Sequence, residues 1–281
     1  MSQYSVINKS NTYNKKNNWY KIQLEHDGYQ GWINKMYLSF SKKAFYSKEK
    51  YPLFTSVYTF DSHSFKGGLF HYPVIFSAGC RVPCTSFKRI GRGSNSYYDM
   101  NFLAFDPCGS IEEFKIKFDW MHDVFIGETK DEIRRLDAWP FILEDEHSFY
   151  GRPYLWGGRS CMGYDCSGFI QTIFRLRYSD YDFPRDAREQ VNYSKLTEVL
   201  SHNEIEDGDL LFFKKGSTVD HVAIATIHYD INTVHSDDFQ EPGDWIMHAS
   251  GDKGIVCEES LEASGLMGSL YKVMRYYREP V

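Results

Sequence analysis

A glycine-rich loop that runs into a cysteine, and through it into an apolar helix, constrains this chain more than any other stretch. The loop is Pro153-Tyr154-Leu155-Trp156-Gly157-Gly158-Arg159, and Asp165-Cys166-Ser167-Gly168-Phe169-Ile170-Gln171 follows shortly after. Phe169, Ile170, Ile173 and Phe174 recur at helical spacing, so a helix with a buried face opens at Cys166. The positive end of a helix favours the thiolate, the nucleophilic form of cysteine. The plainer alternative, an inert buried thiol, is disfavoured by this setting.

A nucleophilic thiol needs a proton partner. His221 follows Asp220 at the start of the apolar, β-branched run 221–227, after the strand-like segment 208–213. A histidine at the mouth of a core strand can face a cleft, although a lone histidine is more often a satisfied or solvent-facing residue. His248 closes the apolar stretch Trp245-Ile246-Met247, which is expected to pair as the neighbouring strand and so to let His248 orient His221. His228 and His235 compete for that third role, but both border a polar loop, so His248 is preferred. Cysteine, histidine and a polar third group together make the generalised nucleophile triad.

Composition narrows the partners. With 281 residues, 42% hydrophobic and 25% charged, the chain can form more than one globular domain. Lys plus Arg (32) against Asp plus Glu (38) leaves a net charge of -6 without a basic block, which argues against nucleic acid. No run reaches the roughly 20 apolar residues of a membrane helix. Met1–Ser10 lacks a charged segment followed by an apolar one, so the chain as written reads as unexported, with its compartment open. Cys80 and Cys84 have no second close pair to complete a zinc site, so no metal and no organic cofactor is expected. A chain of this size does not need disulfides.

The three expected segments are a small β domain at 1–45, a second at 46–125 and a catalytic domain at 126–281. Trp19–Leu24 alternates like a half-buried strand, Asp27-Gly28 turns, and Gly31-Trp32-Ile33 begins a second strand. Residues 41–50 read as a solvated linker, and 51–118 as short aromatic or β-branched runs broken by Gly, Pro and Ser. Candidate strands are Val57–Phe60, Tyr72–Phe76 and Asn101–Phe105, with 91–96 as a loop. From Glu128 to Tyr150 charged and apolar residues recur at helical spacing, divided at Pro140.

Six motifs, at 153–158, 165–169, 183–190, 208–213, 221–225 and 247–250, stand in the order typical of NlpC-type cysteine peptidases, which this part of the chain resembles. The resemblance implies an α+β, papain-like catalytic domain with helices packed on an antiparallel sheet. It makes Cys166 the nucleophile, His221 the base and acid, and His248 the orienting residue. Tyr154 lies near the thiolate and helps the Cys166 amide hold the oxyanion. Residues 19–33 resemble the end of a bacterial SH3-like barrel; so little chain precedes them that the first barrel is expected to be truncated or diverged. In the subgroup that joins such barrels to the peptidase, Asp165, Ser167 and Tyr29 would bind the free amino terminus of L-Ala-γ-D-Glu peptides. Trp156 is expected to line the same site. Asp186 would meet the amino group of the diamino acid, and cleavage would fall between γ-D-Glu and that residue of peptidoglycan stem peptides. The segment from His221 to His248 is longer than usual in the family and is expected to form a flap. A non-catalytic wall-binding protein and a thiol acyltransferase or amidase are the rival readings, and fold kinship alone does not separate them. Oligomeric state is not legible.

Overall fold

The computed structural model describes residues 14–16, 18–24, 27–38, 53–56, 60–61, 75–90, 97–105, 111–119, 125–127, 149–178, 182–226 and 245–277. Expectations at 41–50, 57–59, 72–74, 91–96 and 128–148, and for the segment 227–244 with His228 and His235, lie outside them. The chain divides into two compact units, Met1–Ile142 and Leu143–Val281.

In the first unit, β1 (Asn14–Lys16), β2 (Trp19–Gln23) and β3 (Gln30–Asn34) form a three-stranded sheet in that order. The expected hairpin is there because Leu24 N–H reaches Tyr29 O at 2.8 Å and Gly28 takes a φ of 68°, a left-handed value that glycine adopts without a Cβ clash. Short β5 (Phe60–Asp61) and β6 (Ile75–Phe76) pair with each other. A five-stranded sheet runs β10 (Phe125–Gly127), β4 (Leu53–Ser56), β7 (Arg81–Ile90), β8 (Tyr97–Phe105), β9 (Ile111–Asp119). Its central strands are longer than the short runs expected between Gly and Pro: Pro83 lies within β7, and the extra residue around Thr85 is absorbed as a bulge between Cys84 and Ser86.

The second unit is built on an antiparallel sheet of order β13 (Leu196–Val199), β18 (Leu270–Tyr276), β14 (Leu210–Lys215), β15 (Thr218–Thr226), β16 (Trp245–Ser250), β17 (Ile255–Ser260). Leu210–Phe213 are all buried, as are Val222–Thr226, so the middle strands are covered on both faces and read as continuous apolar runs. One face carries the cluster Leu211, Phe213, Ala223, Ala225, Ile246 and Val273, closed by Ile205 and Leu261. Helix α1 (Cys166–Tyr178) packs against β15 and β16, with Phe169, Ile170, Ile173 and Phe174 buried. The short hairpin β11 (Arg159–Ser160) and β12 (Gly163–Tyr164) leads into it, and the single turn α2 (Ala187–Gln190) packs against β15.

Candidate active site

The loop before α1 is shaped by its glycines. Gly158 N–H bonds to Leu155 O at 2.7 Å, closing a turn in which Gly157 sits at φ 79°. Gly158 and Gly168 let that loop press on the first turn of α1: a Cβ on Gly168 would lie 2.2 Å from Gly158 O. The dense Gly-Gly and Ser-Gly pairs of the motif are therefore a packing requirement that brings the loop backbone beside the thiol.

Asp165 is the N-cap of α1. Its Oδ1 accepts from Gly168 N–H at 2.7 Å, and its backbone carbonyl takes the first helical bond, from Phe169, at 2.9 Å. Arg185 then grips both carboxylate oxygens, at 2.9 and 2.8 Å, and also reaches Ser167 Oγ at 2.9 Å. Gly157 N–H adds a bond to Oδ2 at 2.8 Å. The resemblance implied that Asp165 binds a substrate amine; in the structure both of its oxygens also accept from donors of the fold, and the ion pair with Arg185 is buried. Arg185 was missed, although it stands beside the Asp186 that was noticed. Asp186 itself is partly exposed, starts α2 without a side-chain cap and pairs with Arg188 at 3.0 Å.

The thiol meets the sheet at a break in its hydrogen-bond ladder. Among the described residues β15 pairs with β16 over Ile224–Thr226 and not beyond, toward Asp220. Ala225 directs its amide and carbonyl to Asp209 and Gly208 on the β14 side, so the even-numbered residues of β15 face β16. Beyond the paired stretch those groups go to Cys166: its Sγ donates to Asp220 O at 3.8 Å, and Val222 N–H donates to Sγ. The thiol is thus bonded to the residues on either side of His221. Pairing of β14 with β15 slips between Phe213 and Lys214, leaving Asp220 as an extra residue beside His221. Such a bulge re-aims the neighbouring side chain.

His221 Nε2 lies 2.7 Å from His248 Nδ1. Extending the β15–β16 register sets Ala223 opposite His248, so the two histidines are diagonal neighbours on one face, within reach of each other. His248 Nε2 lies 2.9 Å from Glu259 Oε1, and Lys253 Nζ lies 2.6 Å from Glu259 Oε2. Glu259 was not singled out from sequence. It lies across β17, where only the strand register reveals that it shares a face with His248.

Burial dominates the electrostatics. It pushes the Cys166 thiol up to about 11, with the Asp165 charge adding to the rise and the two backbone amides and Arg185 opposing it. Burial and the neighbouring His248 hold His221 down to about 3. Burial also lowers His248, against the pull of Glu259. At rest the Cys166 thiol and the His221 imidazole are both neutral, since desolvation of a buried charge outweighs the helix end that favours the thiolate. Burial, followed by the charges of Cys166 and Asp165, raises the Tyr154 hydroxyl to about 12, so it remains a donor. Trp156 is 85% exposed at the turn before the helix, an unusual position for an aromatic side chain. Tyr29 lies in the first unit, at the hairpin turn, with its N–H on Asp27 Oδ1 at 3.1 Å.

Cys166 and Cys257 are free thiols. His248, Cys257 and Glu259 offer ligand atoms within 4.8 Å of one another, a donor set that suits zinc. Lys253 already supplies the countercharge to Glu259 there, and a metal on His248 Nε2 would take that nitrogen from the carboxylate.

A cysteine at a helix N-terminus, bonded to the residues on either side of a strand histidine that a second histidine holds, is the arrangement expected of a papain-like thiol hydrolase. Residues 151–275 match the NlpC/P60 family model, and this part of the chain is an NlpC/P60 domain, a family of cysteine peptidases. Relatives include a probable endopeptidase of Haemophilus influenzae, 44% identical over 27% of this chain and 44% of that protein. A gamma-D-glutamyl-L-lysine dipeptidyl-peptidase of Bacillus subtilis is 43% identical over 26% of this chain and 23% of that protein. The probable endopeptidase NlpC of Escherichia coli is 34% identical over 41% of this chain and 64% of that protein. The chain spans less than two thirds of the length of each. A solved NlpC/P60 family protein from Bacillus cereus shares the fold, with a TM-score of 0.63 at 22% identity, over 94% of this chain and 78% of that one.

Proposed function

We propose that this protein is a cysteine peptidase that hydrolyses the bond between γ-D-Glu and the diamino acid of peptidoglycan stem peptides. The observation that carries the chemistry is the bonding of the Cys166 thiol to Asp220 and Val222, which flank a histidine itself bonded to a second histidine. The bond specificity is supported by the gamma-D-glutamyl-L-lysine dipeptidyl-peptidases of Bacillus subtilis and Bacillus cereus among the relatives.

In this reading His221 takes the thiol proton as Sγ attacks the γ-glutamyl carbonyl. No standing thiolate is required, because proton and nucleophile move together when the buried pair is neutral. The oxyanion is held by the Cys166 backbone N–H and the Tyr154 hydroxyl. His221 then protonates the leaving amine; water, deprotonated by His221, hydrolyses the thioester and releases the acid. Trp156 offers an aromatic shelf for the substrate. At the amino-terminal end, Ser167 and the salt-bridged Asp165 are the groups offered to a free amine. Because Arg185 offsets the Asp165 charge, hydrogen bonding rather than net charge would supply that preference.

The test incubates the protein and its Cys166→Ala variant with L-Ala-γ-D-Glu-meso-diaminopimelate, and with the same tripeptide acetylated at its amino end. Cutting of the free tripeptide after γ-D-Glu, lost by at least about 10⁴-fold without the thiol, is the expected result. Equal cutting of the acetylated peptide removes the free-amine preference. Cutting of neither moves the assignment to a binding protein or to another acyl substrate.

A further inference from the structure

We propose that Glu259, anchored by Lys253, is a positioning residue that sets which nitrogen of His221 carries the proton, acting through His248. The inference rests on His221 being the base, as proposed above.

The argument follows the hydrogen bonds inward from the carboxylate. An ionised carboxylate only accepts. Burial works to raise Glu259, but hydrogen bonds from Lys253 and His248 win and hold it below the ordinary carboxylate range, so it is ionised. Its Oε1, 2.9 Å from His248 Nε2, therefore requires the proton of His248 on Nε2. Both rings are neutral, so His248 Nδ1 is left as an acceptor. The atom 2.7 Å away is His221 Nε2, which must then be the donor. That leaves His221 Nδ1 bare, the state a general base needs. The opposite tautomer pair would put a proton on Nδ1 and block the base. Once His221 has taken the thiol proton, the same chain of N–H donors leads its positive charge toward Glu259.

The sheet supplies the spacing. His221 on β15, His248 on β16 and Glu259 on β17 stand on one face, each diagonal to the next. Glu259 Oε2 is taken by Lys253 Nζ, which keeps Oε1 turned toward the ring. Cys257, opposite His248, points its thiol at the same Oε1 at 3.7 Å, a second donor consistent with a carboxylate that only accepts.

The experiment compares wild type, Glu259→Gln and Glu259→Ala by ¹⁵N spectroscopy of histidine-labelled protein, by the rate of Cys166 alkylation with iodoacetamide, and by tripeptide hydrolysis. Wild type should hold both rings as Nε2–H. Glu259→Ala should show mixed tautomers, alkylation slowed about 10- to 100-fold and kcat reduced alike, with KM changed less than about twofold. This is milder than the roughly 10⁴-fold loss seen where a carboxylate touches the base itself, because an imidazole intervenes. Glu259→Gln, whose amide can donate or accept, should fall between and keeps the test alive if the alanine variant does not fold. Wild-type tautomers and alkylation rates in both variants would overturn the proposal, as would a loss confined to KM. If wild type fails to cut the tripeptide, the substrate reading falls, while spectra and alkylation still decide the role of Glu259.

Discussion

Two buried carboxylates, Asp165 beside Cys166 and Glu259 beside His248, are held in opposite ways. At the helix end Asp165 is locked by Arg185 through two oxygens, with both side chains almost wholly buried. At the sheet end Glu259 is as buried, but its cation, Lys253, is half exposed. The first arrangement is a frame: a bidentate pair with a fixed fork also caps α1 and ties down the loop before it. The second is adjustable, since a flexible ammonium at the surface can leave without moving the strand. The contrast teaches that equal burial of a carboxylate does not mean equal duty, and that the partner's exposure separates a rigid frame from an adjustable contact.

The comparison can be broken most severely at the helix end. Asp165→Asn should keep the cap but strand the buried Arg185 charge, lowering stability by about 3–5 kcal/mol in urea titrations. Asp165→Ala should cost about 1 kcal/mol more, the worth of an N-cap. If Asp165→Asn instead leaves the urea midpoint in place, the frame reading is wrong. Gly168→Ala forces a Cβ against the Gly158 carbonyl and should cost about 1–3 kcal/mol, read the same way, with alkylation of Cys166 also perturbed.

At the sheet end the sharper probe is pH. His221, lowered to about 3 when folded, takes up a proton on unfolding below its ordinary 6.5. Its contribution is therefore complete above 6.5 and is lost as pH falls toward 3, by up to about 1.4 kcal/mol per pH unit. Cys166 works the other way: raised to about 11, it contributes stability present below 9.0 and lost as pH rises toward 11. Thermal melts across pH should show a plateau between these limits. His221→Gln should flatten the acid side, and Cys166→Ala the alkaline side; unchanged slopes in both would mean that neither group is held neutral. The smallest change in stability is expected for Lys253→Met, and a loss rivalling that of Asp165→Asn would erase the distinction between the two ends.

Much of the helix end was legible because its information is local. A cap, a cysteine and a glycine lie within four residues, and the apolar spacing of Phe169, Ile170, Ile173 and Phe174 marks the helix they open. His221 and His248 were legible as members of apolar strands. Arg185 was not, because an ion pair across twenty positions leaves no periodic trace. Glu259 was not, because its neighbourhood with His248 depends on the pairing of β16 with β17, which a single strand's pattern does not encode. In the first unit the hairpin at Gly28 was readable from turn chemistry, while the lengths of β7 and β8 were hidden by Pro83, Asp99 and Asn101, residue types that usually end strands.

In the proposed mechanism, the break in the ladder between β15 and β16 ties the covalent state of Cys166 to the backbone. Cys166 stands where a peptide group of the neighbouring strand would stand, giving a proton to Asp220 O and receiving one from Val222 N–H. Acylation would remove the thiol hydrogen, so that carbonyl would lose its donor, and the amide of Val222 would face a thioester sulfur in place of a thiol. One rung of the sheet is therefore made and unmade with the reaction, and the rate at which the Val222 amide exchanges with solvent becomes a built-in clock of the acyl-enzyme.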